Sequence, residues 1–143
     1  MRPSLDETYL SMLPIYAARH TCARRAVAAI IIDKQGRFLS AGFNGPPKGL
    51  RHCTEHPCPG AGDVPGDTRY CEAVHAEANA LLQCPDLDRA YVIYCSCTPC
   101  FECAKMICNT NIAKVIVTEP YADPRGYEIL QRKGVLVVIT AKT

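Results

Sequence analysis

The sequence predicts an α/β fold, a three-layer α/β/α sandwich with a mixed central sheet of about five strands. Two observations lead to this prediction. Short runs rich in Val and Ile alternate with helical segments of about a dozen residues, which is the spacing of parallel strands joined by crossover helices. The first two runs are joined instead by a tight turn, Asp33 to Gly36, and so form an antiparallel hairpin. Both kinds of pairing in one sheet, with helices on its two faces, give the predicted fold.

Each element is predicted from its apolar pattern and from the residues that bound it. Ser4 is the expected N-cap of the first helix, in which Pro14 interrupts the pattern. Pro85 ends the second helix and Pro99 opens the third. The predicted helices cover residues 5–20, 74–84, 99–109 and 124–133. The predicted strands cover residues 26–32, 37–43, 89–95, 113–118 and 135–140.

Length and composition indicate one globular domain over residues 1–143. Hydrophobic residues make up 48% and charged residues 21%, which excludes a wholly disordered chain. The net charge is +2 and no basic cluster is present, so no polymeric nucleic acid is expected as a partner. The longest apolar run, residues 26–32, is too short to cross a bilayer, so no membrane partner is expected. Without an N-terminal run of signal-peptide length, we expect a cytoplasmic protein.

Ten cysteines are the unusual feature of the composition. Disulfides, metal ligation and small buried side chains are the three explanations. A cytoplasmic chain lies among reduced thiols, which weakens the disulfide explanation and favours metal binding or catalysis.

Two short motifs carry the expected chemistry. His75-Ala76-Glu77 lies at one predicted helix start, and Cys100-x-x-Cys103 opens another helix. Sulfurs on a first helical turn face one point, where the helix dipole favours thiolates. One imidazole and two thiolates would hold a tetrahedral zinc with one position open, as in catalytic sites. Glu77 follows His75 closely enough to carry protons at that metal, and too closely to be a comfortable fourth ligand.

Either motif alone is ambiguous, because Cys-x-x-Cys is also typical of a redox pair or of two core cysteines. Together they match the H-x-E…P-C-x-x-C signature of zinc deaminases of nucleobases. Three hypotheses compete: a free-nucleotide deaminase, a deaminase of a base in tRNA or single-stranded DNA, and a zinc-held binding module without activity. The missing basic stripe argues against the second hypothesis. Glu77 argues against the third, because a structural site needs no proton carrier.

Five stretches extend the match over nearly the whole chain. They are CARRAVAAIIID at 22–33, AGFNGPPKGL at 41–50, HAEANAL at 75–81, SCTPCFECAKM at 96–106 and EPYAD at 119–123. On these stretches the chain resembles the cytidine deaminase superfamily, and within it the deoxycytidylate (dCMP) deaminase family. The Gly-Phe-Asn-Gly stretch and His-Ala-Glu-x-Asn-Ala are the parts that resemble the nucleotide-level branch.

The resemblance implies hydrolytic deamination of dCMP to dUMP and ammonia, which supplies dUMP for thymidylate synthesis. It makes His75, Cys100 and Cys103 the ligands of a catalytic zinc. Glu77 would take a proton from the zinc-bound water, and the resulting hydroxide would attack C4 of cytosine. Glu77 would then protonate N3 and the leaving amine. The resemblance also implies a homo-oligomer, a hexamer, and dCTP and dTTP as allosteric effectors.

The same resemblance implies contacts with the substrate. The backbone N–H of Ala76 is expected to orient the pyrimidine carbonyl, and backbone carbonyls around Ser96 and Thr98 to accept from the exocyclic amine. Asn44 matches the position expected to hold the deoxyribose hydroxyl, although Asn-Gly is also a strong turn dipeptide. The candidates for the 5′-phosphate and the base wall are Arg25 or Arg24, Tyr121 and Arg125. For the arginines, solvated surface charges are the simpler explanation.

Residues 44–71 form a Cys-, His-, Pro- and Gly-rich insertion, and a loop of this length in a compact domain needs something to hold it. A closed zinc site would do so, and some members of the resembled family carry a second, structural zinc in this insertion. We predict Cys22, Cys53, Cys58 and Cys71 as its ligands, with His52 or His56 as substitutes. The alternative is a mobile substrate lid with free thiols. The other cysteines are expected to be packing residues: Cys84, Cys95, Cys97 and Cys108.

Overall fold

The computed structural model describes residues 1–62 and 70–140. Within them, five strands form one sheet: β1 (Ala28–Ile32), β2 (Phe38–Phe43), β3 (Val92–Cys95), β4 (Lys114–Val117) and β5 (Leu136–Ile139). Their order across the sheet is β2-β1-β3-β4-β5. Strand β1 pairs antiparallel with both β2 and β3, whereas β3, β4 and β5 are parallel. The predicted mixed, five-stranded sheet is confirmed.

In the same described residues, four α-helices lie where the sequence predicts them, each with shorter bounds. They are α1 (Leu5–Ala17), α2 (Ala76–Leu82), α3 (Phe101–Cys108) and α4 (Arg125–Lys133). Ser4 caps α1 as expected, because its Oγ accepts a hydrogen bond from the backbone N–H of Glu7 at 3.1 Å. Pro14 lies inside α1 without ending it. Strand β3 starts later than predicted because Leu87–Arg89 form a short 3-10 turn.

Side chains alternate between the two faces of the sheet, and the apolar residues of each face pack into a separate layer. In β1, Ala29 and Ile31 pack with residues of α2, α3 and α4, whereas Ile30 packs with residues of α1. The layer that contains residues of α2, α3 and α4 is the larger of the two. One helix on one face and three on the other make the predicted three-layer sandwich.

Two glycines let helices approach their neighbours more closely than any other residue would allow. A Cβ on Gly42 of β2 would overlap the carbonyl oxygen of Ala76, at the start of α2. A Cβ on Gly126 of α4 would overlap the carbonyl oxygen of Pro99, just before α3. The starts of α2 and α3 are therefore set by direct backbone contact with β2 and α4.

The segment between β2 and α2 has little regular structure in its described residues, 44–62 and 70–75. Gly45 and Val74 form an isolated antiparallel bridge that closes its two ends. Residues 63–69 of the predicted insertion lie outside the described residues. Across the part of the chain that is described, no helix combines the length and the apolarity needed to cross a membrane.

Candidate active site

The candidate site lies at one edge of the sheet, where β2, β3 and β4 end and β1 begins. Asn44 directly follows β2, Cys100 follows β3, Tyr121 follows β4, and Arg25 precedes β1. The carboxyl ends of strands are where open α/β sheets bind ligands, because the loops that follow diverge and leave a crevice. Residues far apart in the sequence thus meet at this edge.

The structure brings His75, Cys100 and Cys103 together. Their ligand atoms all lie within 4.8 Å of one another. His75 Nδ1 lies 3.4 Å from the Sγ of Cys100 and 3.4 Å from the Sγ of Cys103. Two ligands with zinc bond lengths of about 2.1 and 2.3 Å in a tetrahedral arrangement lie about 3.6 Å apart. The three residues therefore fit zinc, with Nδ1 as the histidine ligand atom.

Two helix N-termini present these ligands. His75 is the N-cap of α2 and Cys100 is the N-cap of α3, with Cys103 one turn further on. The hydrogen bond with Cys103 and the nearby His75 lower the pKa of the Cys100 thiol. The hydrogen bond with Cys100 and burial raise the pKa of Cys103. One sulfur is thus predisposed to be a thiolate, the form in which cysteine binds metal.

Glu77 lies beside this triad on the first turn of α2. Its side chain is buried, with an exposed fraction of 4%. Burial raises the pKa of its carboxyl group, whereas the nearby His75 opposes that shift. A carboxyl group of raised pKa holds and releases protons closer to neutral pH, which is what a general acid–base requires.

A cavity of about 710 Å³ opens in front of the triad. This volume lies within the range of about 300–1,000 Å³ that is typical of small-molecule sites. Most of the predicted substrate-binding residues line it, namely Arg25, Asn44, Ala76, Thr98 and Tyr121. His75, Glu77 and Cys100 line it as well, so a bound molecule can reach the candidate metal centre.

Ser96, a predicted contact of the exocyclic amine, does not line the cavity. Its hydroxyl donates to the Ala28 carbonyl at 3.3 Å and accepts from the Ala28 N–H at 3.0 Å. Its own carbonyl accepts from the Thr118 hydroxyl at 2.8 Å. The Ser96 polar groups are thus used to join β3 to its neighbours, whereas Cys97 and Thr98 of the same stretch line the cavity.

The three candidate arginines have different surroundings. The guanidinium of Arg25 lies 5.8 Å from the centroid of the Tyr121 ring and donates to Cys97 Sγ at 3.5 Å. Arg24 also lines the cavity and donates to the carbonyl of Gly60 at 3.3 Å. Arg125 is exposed, is paired with Asp123 at 2.7 Å and does not line the cavity.

The sequence did not predict the hydrogen bond made by Asn79 or the position of Cys97 at the cavity. Asn79 Nδ2 donates to the carbonyl of Phe43 at 2.8 Å, which joins α2 to the residue before Asn44. An asparagine inside a short helix is unfavourable unless its side chain has a partner, and that was the available signal. Cys97 is buried, as expected of a packing residue, but it also lines the cavity beside Arg25.

The four cysteines predicted for a second metal lie around the insertion, and all are free thiols. Cys22 and Cys71 line the cavity, and Cys53 Sγ accepts from the backbone N–H of Cys58 at 3.4 Å. Backbone N–H groups of Glu72 and Gly60 lower the pKa of Cys58. In the described part of the chain, only the His75 triad brings three ligand atoms within 4.8 Å of one another.

A histidine and two cysteines beside a buried carboxyl group, at the open edge of a mixed sheet, are the arrangement of the zinc-dependent deaminases. The chain belongs to the cytidine and deoxycytidylate deaminase family, because the model of the family's zinc-binding region matches residues 3–119.

Individual relatives make the relation more specific. The chain is 37% identical over 122 residues to deoxycytidylate deaminase of Mycobacterium phage D29, covering 80% of this chain and 94% of the relative. It is 32% identical over 143 residues to deoxycytidylate deaminase of Saccharomyces cerevisiae, and spans 45% of that longer protein. The crystal structure of dCMP deaminase from cyanophage S-TIM5 in complex with dCMP and dUMP superposes with a TM-score of 0.77 at 28% identity. That superposition covers 98% of this chain and 99% of the phage chain.

Proposed function

We propose that the chain catalyses the hydrolytic deamination of dCMP to dUMP and ammonia. The observation that carries the proposal is the buried Glu77 beside a His-Cys-Cys triad at a cavity of nucleotide size. The relatives named deoxycytidylate deaminase, and the similar phage enzyme that binds dCMP and dUMP, support dCMP as the substrate.

Water replaces the amino group at C4 of cytosine, so a C4–O bond forms and the C4–N bond breaks. A zinc ion held by the triad would supply a nucleophile at neutral pH, because it lowers the pKa of a water to about 7. Glu77 takes the first proton of the attacking water and passes it to N3. It then takes the second proton from the new hydroxyl on C4 and passes it to the amino group, so that ammonia leaves and the C4=O bond forms. Burial favours this exchange, since it raises the pKa of Glu77 above that of an ordinary carboxyl group and so helps it to hold a proton.

Two groups of the cavity wall are suited to hold the base. The backbone N–H of Ala76 is the first of α2, where no carbonyl of the same helix can accept from it. It is the proposed donor to the pyrimidine carbonyl. Thr98 is buried at the cavity, and its hydroxyl has no partner among the described residues. We assign Thr98 to the exocyclic amine, through its carbonyl or its hydroxyl.

Arg25 is the proposed partner of the 5′-phosphate, with Tyr121 as the wall beside it. Among residues 1–62 and 70–140, no carboxylate forms an ion pair with Arg25. An arginine at a cavity with its donors free of carboxylates is suited to bind a phosphate.

The variant Glu77→Gln tests the proton transfer. It keeps the size of the side chain and removes its ability to exchange protons, so we expect turnover of dCMP to fall by about 10²–10⁴-fold. Zinc content and melting temperature should stay close to those of the parent protein. Glu102→Gln is the matched control, because Glu102 is an exposed carboxylate on α3 that is paired with Lys105. Near-normal ammonia release from Glu77→Gln would refute the mechanism.

A substrate panel tests the choice of dCMP. The zinc-loaded chain is offered dCMP, CMP, dCTP, deoxycytidine and a cytosine-containing oligonucleotide, and kcat/KM is compared by ammonia release. We expect dCMP to have the highest value. Preference for the oligonucleotide would indicate a deaminase of polymeric nucleic acid, and preference for deoxycytidine would remove the phosphate contact from the proposal.

We also propose a second, structural zinc held by Cys22, Cys53, Cys58 and Cys71. Support comes from the backbone N–H groups directed at Cys53 and Cys58, since such donors stabilise thiolates. Elemental analysis of the purified chain should give two zinc ions per chain. Cys58→Ser should lose one of them and keep the other, whereas Cys108→Ser, outside the proposed set, should keep both. One zinc in the parent protein would contradict the proposal.

Assembly and regulation follow from the resemblance and stay predictions. A hexamer is expected by light scattering, and added dCTP and dTTP are expected to activate and inhibit turnover. A cytoplasmic location is likewise a prediction, and imaging of the tagged chain in its source cells would check it.

A further inference from the structure

We propose that Asn44 is a positioning residue, which fixes the main chain at Arg25 so that the guanidinium faces the phosphate end of the cavity. The proposal rests on the proposed function, in which Arg25 binds the 5′-phosphate. It gives Asn44 a different role from the contact with the deoxyribose hydroxyl that the family resemblance implies.

The side chain of Asn44 bonds to the backbone on both sides of Ala26. Its Nδ2 donates to the carbonyl of Arg25 at 2.6 Å, and its Oδ1 accepts from the N–H of Val27 at 2.9 Å. The backbone N–H of Asn44 also donates to the carbonyl of Val27 at 3.3 Å. Both polar atoms of this buried side chain therefore have a main-chain partner before any ligand is bound.

The segment that these bonds hold lies before β1, outside the ladder of the sheet. Arg25 is held at its side chain only by the Tyr121 ring and by Cys97 Sγ among the described residues. Contacts of this kind are weaker and less directional than an ion pair. Within the described residues no ion pair holds the Arg25 side chain, so the position of its main chain, which Asn44 holds, is the constraint on which the proposal rests.

Asn44 is itself tied to the helix that carries the catalytic groups. Asn79 of α2 donates to the carbonyl of Phe43, the residue before Asn44. The hydrogen bonds thus run from α2, which bears His75 and Glu77, through Phe43 and Asn44 to Arg25. This connection fixes the distance between the group that would bind phosphate and the group that would transfer protons, which sets where C4 of a nucleotide lies.

Steady-state kinetics on the zinc-loaded chain test the proposal. The variants are Asn44→Ala, Asn44→Asp, Arg25→Ala and the double variant Arg25→Ala with Asn44→Ala. The substrates are dCMP, deoxycytidine, which lacks the phosphate, and 2′,3′-dideoxycytidine monophosphate, which lacks the 3′-hydroxyl. Asn109→Ala is the matched control, because Asn109 is exposed at the end of α3 and its side chain forms no hydrogen bond within the described residues.

We expect both Asn44 variants to raise KM for dCMP by about tenfold to a hundredfold, with a much smaller change in kcat. Their kcat/KM for deoxycytidine should change by less than about twofold, because no phosphate is present to be misplaced. In the Arg25→Ala background, Asn44→Ala should add little, since two residues that act through one contact are not additive. The ratio of kcat/KM between dCMP and its dideoxy analogue should not change.

Two results would overturn the proposal. One is a loss of the preference for dCMP over the dideoxy analogue in the Asn44 variants, which would make Asn44 a sugar contact. The other is an equal loss on dCMP and deoxycytidine, which would make it a general structural residue. Asn44→Asp keeps the acceptor for Val27 and the size of the side chain, so it serves if Asn44→Ala does not fold; zinc content and near-ultraviolet circular dichroism verify folding.

The failure of this proposal can be told apart from failure of the proposed function. If Arg25→Ala abolishes the preference for dCMP over deoxycytidine and the Asn44 variants do not, only the positioning role is wrong. If Arg25→Ala leaves that preference intact, the phosphate assignment is wrong and the positioning role falls with it.

Discussion

Tyr94 joins the smaller apolar layer to the helix that covers it. Its hydroxyl donates to Asp6 Oδ1 at 2.7 Å, and its ring stacks on that of Tyr9 with centroids 5.4 Å apart. Both partners belong to α1, and the ring of Tyr94 is fully buried in β3. Tyr94 therefore adds a hydrogen bond and a ring contact to the apolar packing of α1 on the sheet.

Removing that hydroxyl should weaken the protein measurably. We expect Tyr94→Phe to lower the free energy of unfolding by about 1–3 kcal/mol, because a hydrogen bond to a carboxylate is lost. Urea denaturation measures the change. Tyr127→Phe is the control, since the Tyr127 hydroxyl accepts an exposed hydrogen bond from Gln131 and should change stability by less than about 0.5 kcal/mol. Equal effects of the two variants would show that the bond to Asp6 contributes nothing.

Asp33 holds the turn between β1 and β2. Its Oδ1 accepts from the backbone N–H groups of Arg37 at 2.8 Å and Gln35 at 2.9 Å, and its Oδ2 is paired with Arg89. The hydrogen bond from Arg37, helped by Arg89 and Gln35, lowers the pKa of this carboxyl group. A pKa below its value in the unfolded chain means that the folded state binds the proton less well.

The free energy of unfolding therefore depends on pH through the carboxyl group of Asp33. Asp33 contributes stability at every pH above its unfolded pKa of about 3.9, and this contribution is lost as the pH falls through the lower, folded pKa. An asparagine side chain cannot titrate, so Asp33→Asn should flatten the fall in unfolding free energy below about pH 5. Urea unfolding measured from neutral to acid pH would show it. If the curves of unfolding free energy against pH run parallel for the parent protein and Asp33→Asn, the pKa of Asp33 is the same in the folded and unfolded states.

Among the elements, α4 determines where the Cys-x-x-Cys helix begins. Gly126 lies against the carbonyl of Pro99 and close to Cys100, with no room for a Cβ. An exchange of glycine for alanine usually stabilises a helix interior by about 1 kcal/mol. Here it must move α4 or the metal ligand, so the usual gain should be reversed.

We expect Gly126→Ala to lower the free energy of unfolding by about 1–3 kcal/mol and to speed the loss of zinc to a chelator. Gly62→Ala is the matched control, because a Cβ there meets no atom of the described residues within 4 Å. Thermal melts and a colorimetric zinc assay measure the two effects. Unchanged zinc release in Gly126→Ala would mean that α4 does not support Cys100.

At the scale of the whole molecule, the triad connects two helices that pack only lightly on each other. His75 comes from the start of α2, and both cysteines come from the start of α3. A metal ion that binds the folded chain and not the unfolded one stabilises the folded state by mass action. The candidate centre should therefore contribute to stability as well as to chemistry.

In the Cys58→Ser variant, which is expected to hold only the zinc of the triad, a chelator should lower the melting temperature by about 10 °C, the shift expected from a ligand present at about a thousand times its dissociation constant. Adding zinc should restore it. Glu77→Gln added to that variant should show the same shift, because Glu77 is not assigned as a ligand. If the chelator leaves the melting temperature unchanged, zinc at the triad does not stabilise the folded chain.

Most of the fold was predictable, because the residues that specify each strand, turn and helix start lie close together in the sequence. Apolar runs such as that of β1 and the tight turn at Asp33 to Gly36 specify strands and their pairing through nearest neighbours. The ends of elements were less predictable: the sequence predicts a strand from residue 89, whereas Arg89 belongs to the 3-10 turn Leu87–Arg89 and β3 begins only at Val92. The cap at Ser4 was predictable from the residue type alone.

The site was predictable where two short motifs determine it. Helix geometry alone places Cys100 and Cys103 together, and only the pairing of the motifs linked His75 to them. The surroundings of Arg25 were not predictable, because Tyr121 and Cys97 are distant in the sequence and meet it only at the edge of the folded sheet. The same holds for Ser96, whose hydrogen bonds to Ala28 and Thr118 depend on strand pairing.

The contact between Gly126 and Pro99 has a consequence for synthesis of the chain on the ribosome. All three ligands of the candidate zinc centre are translated before α4, yet the backbone that carries Cys100 is supported by α4. Synthesis runs from the N-terminus at about 5–20 residues per second, so the three ligands leave the ribosome before α4 does. A nascent chain that ends before Gly126 should thus exchange zinc readily, and should retain it firmly only after α4 has emerged from the exit tunnel.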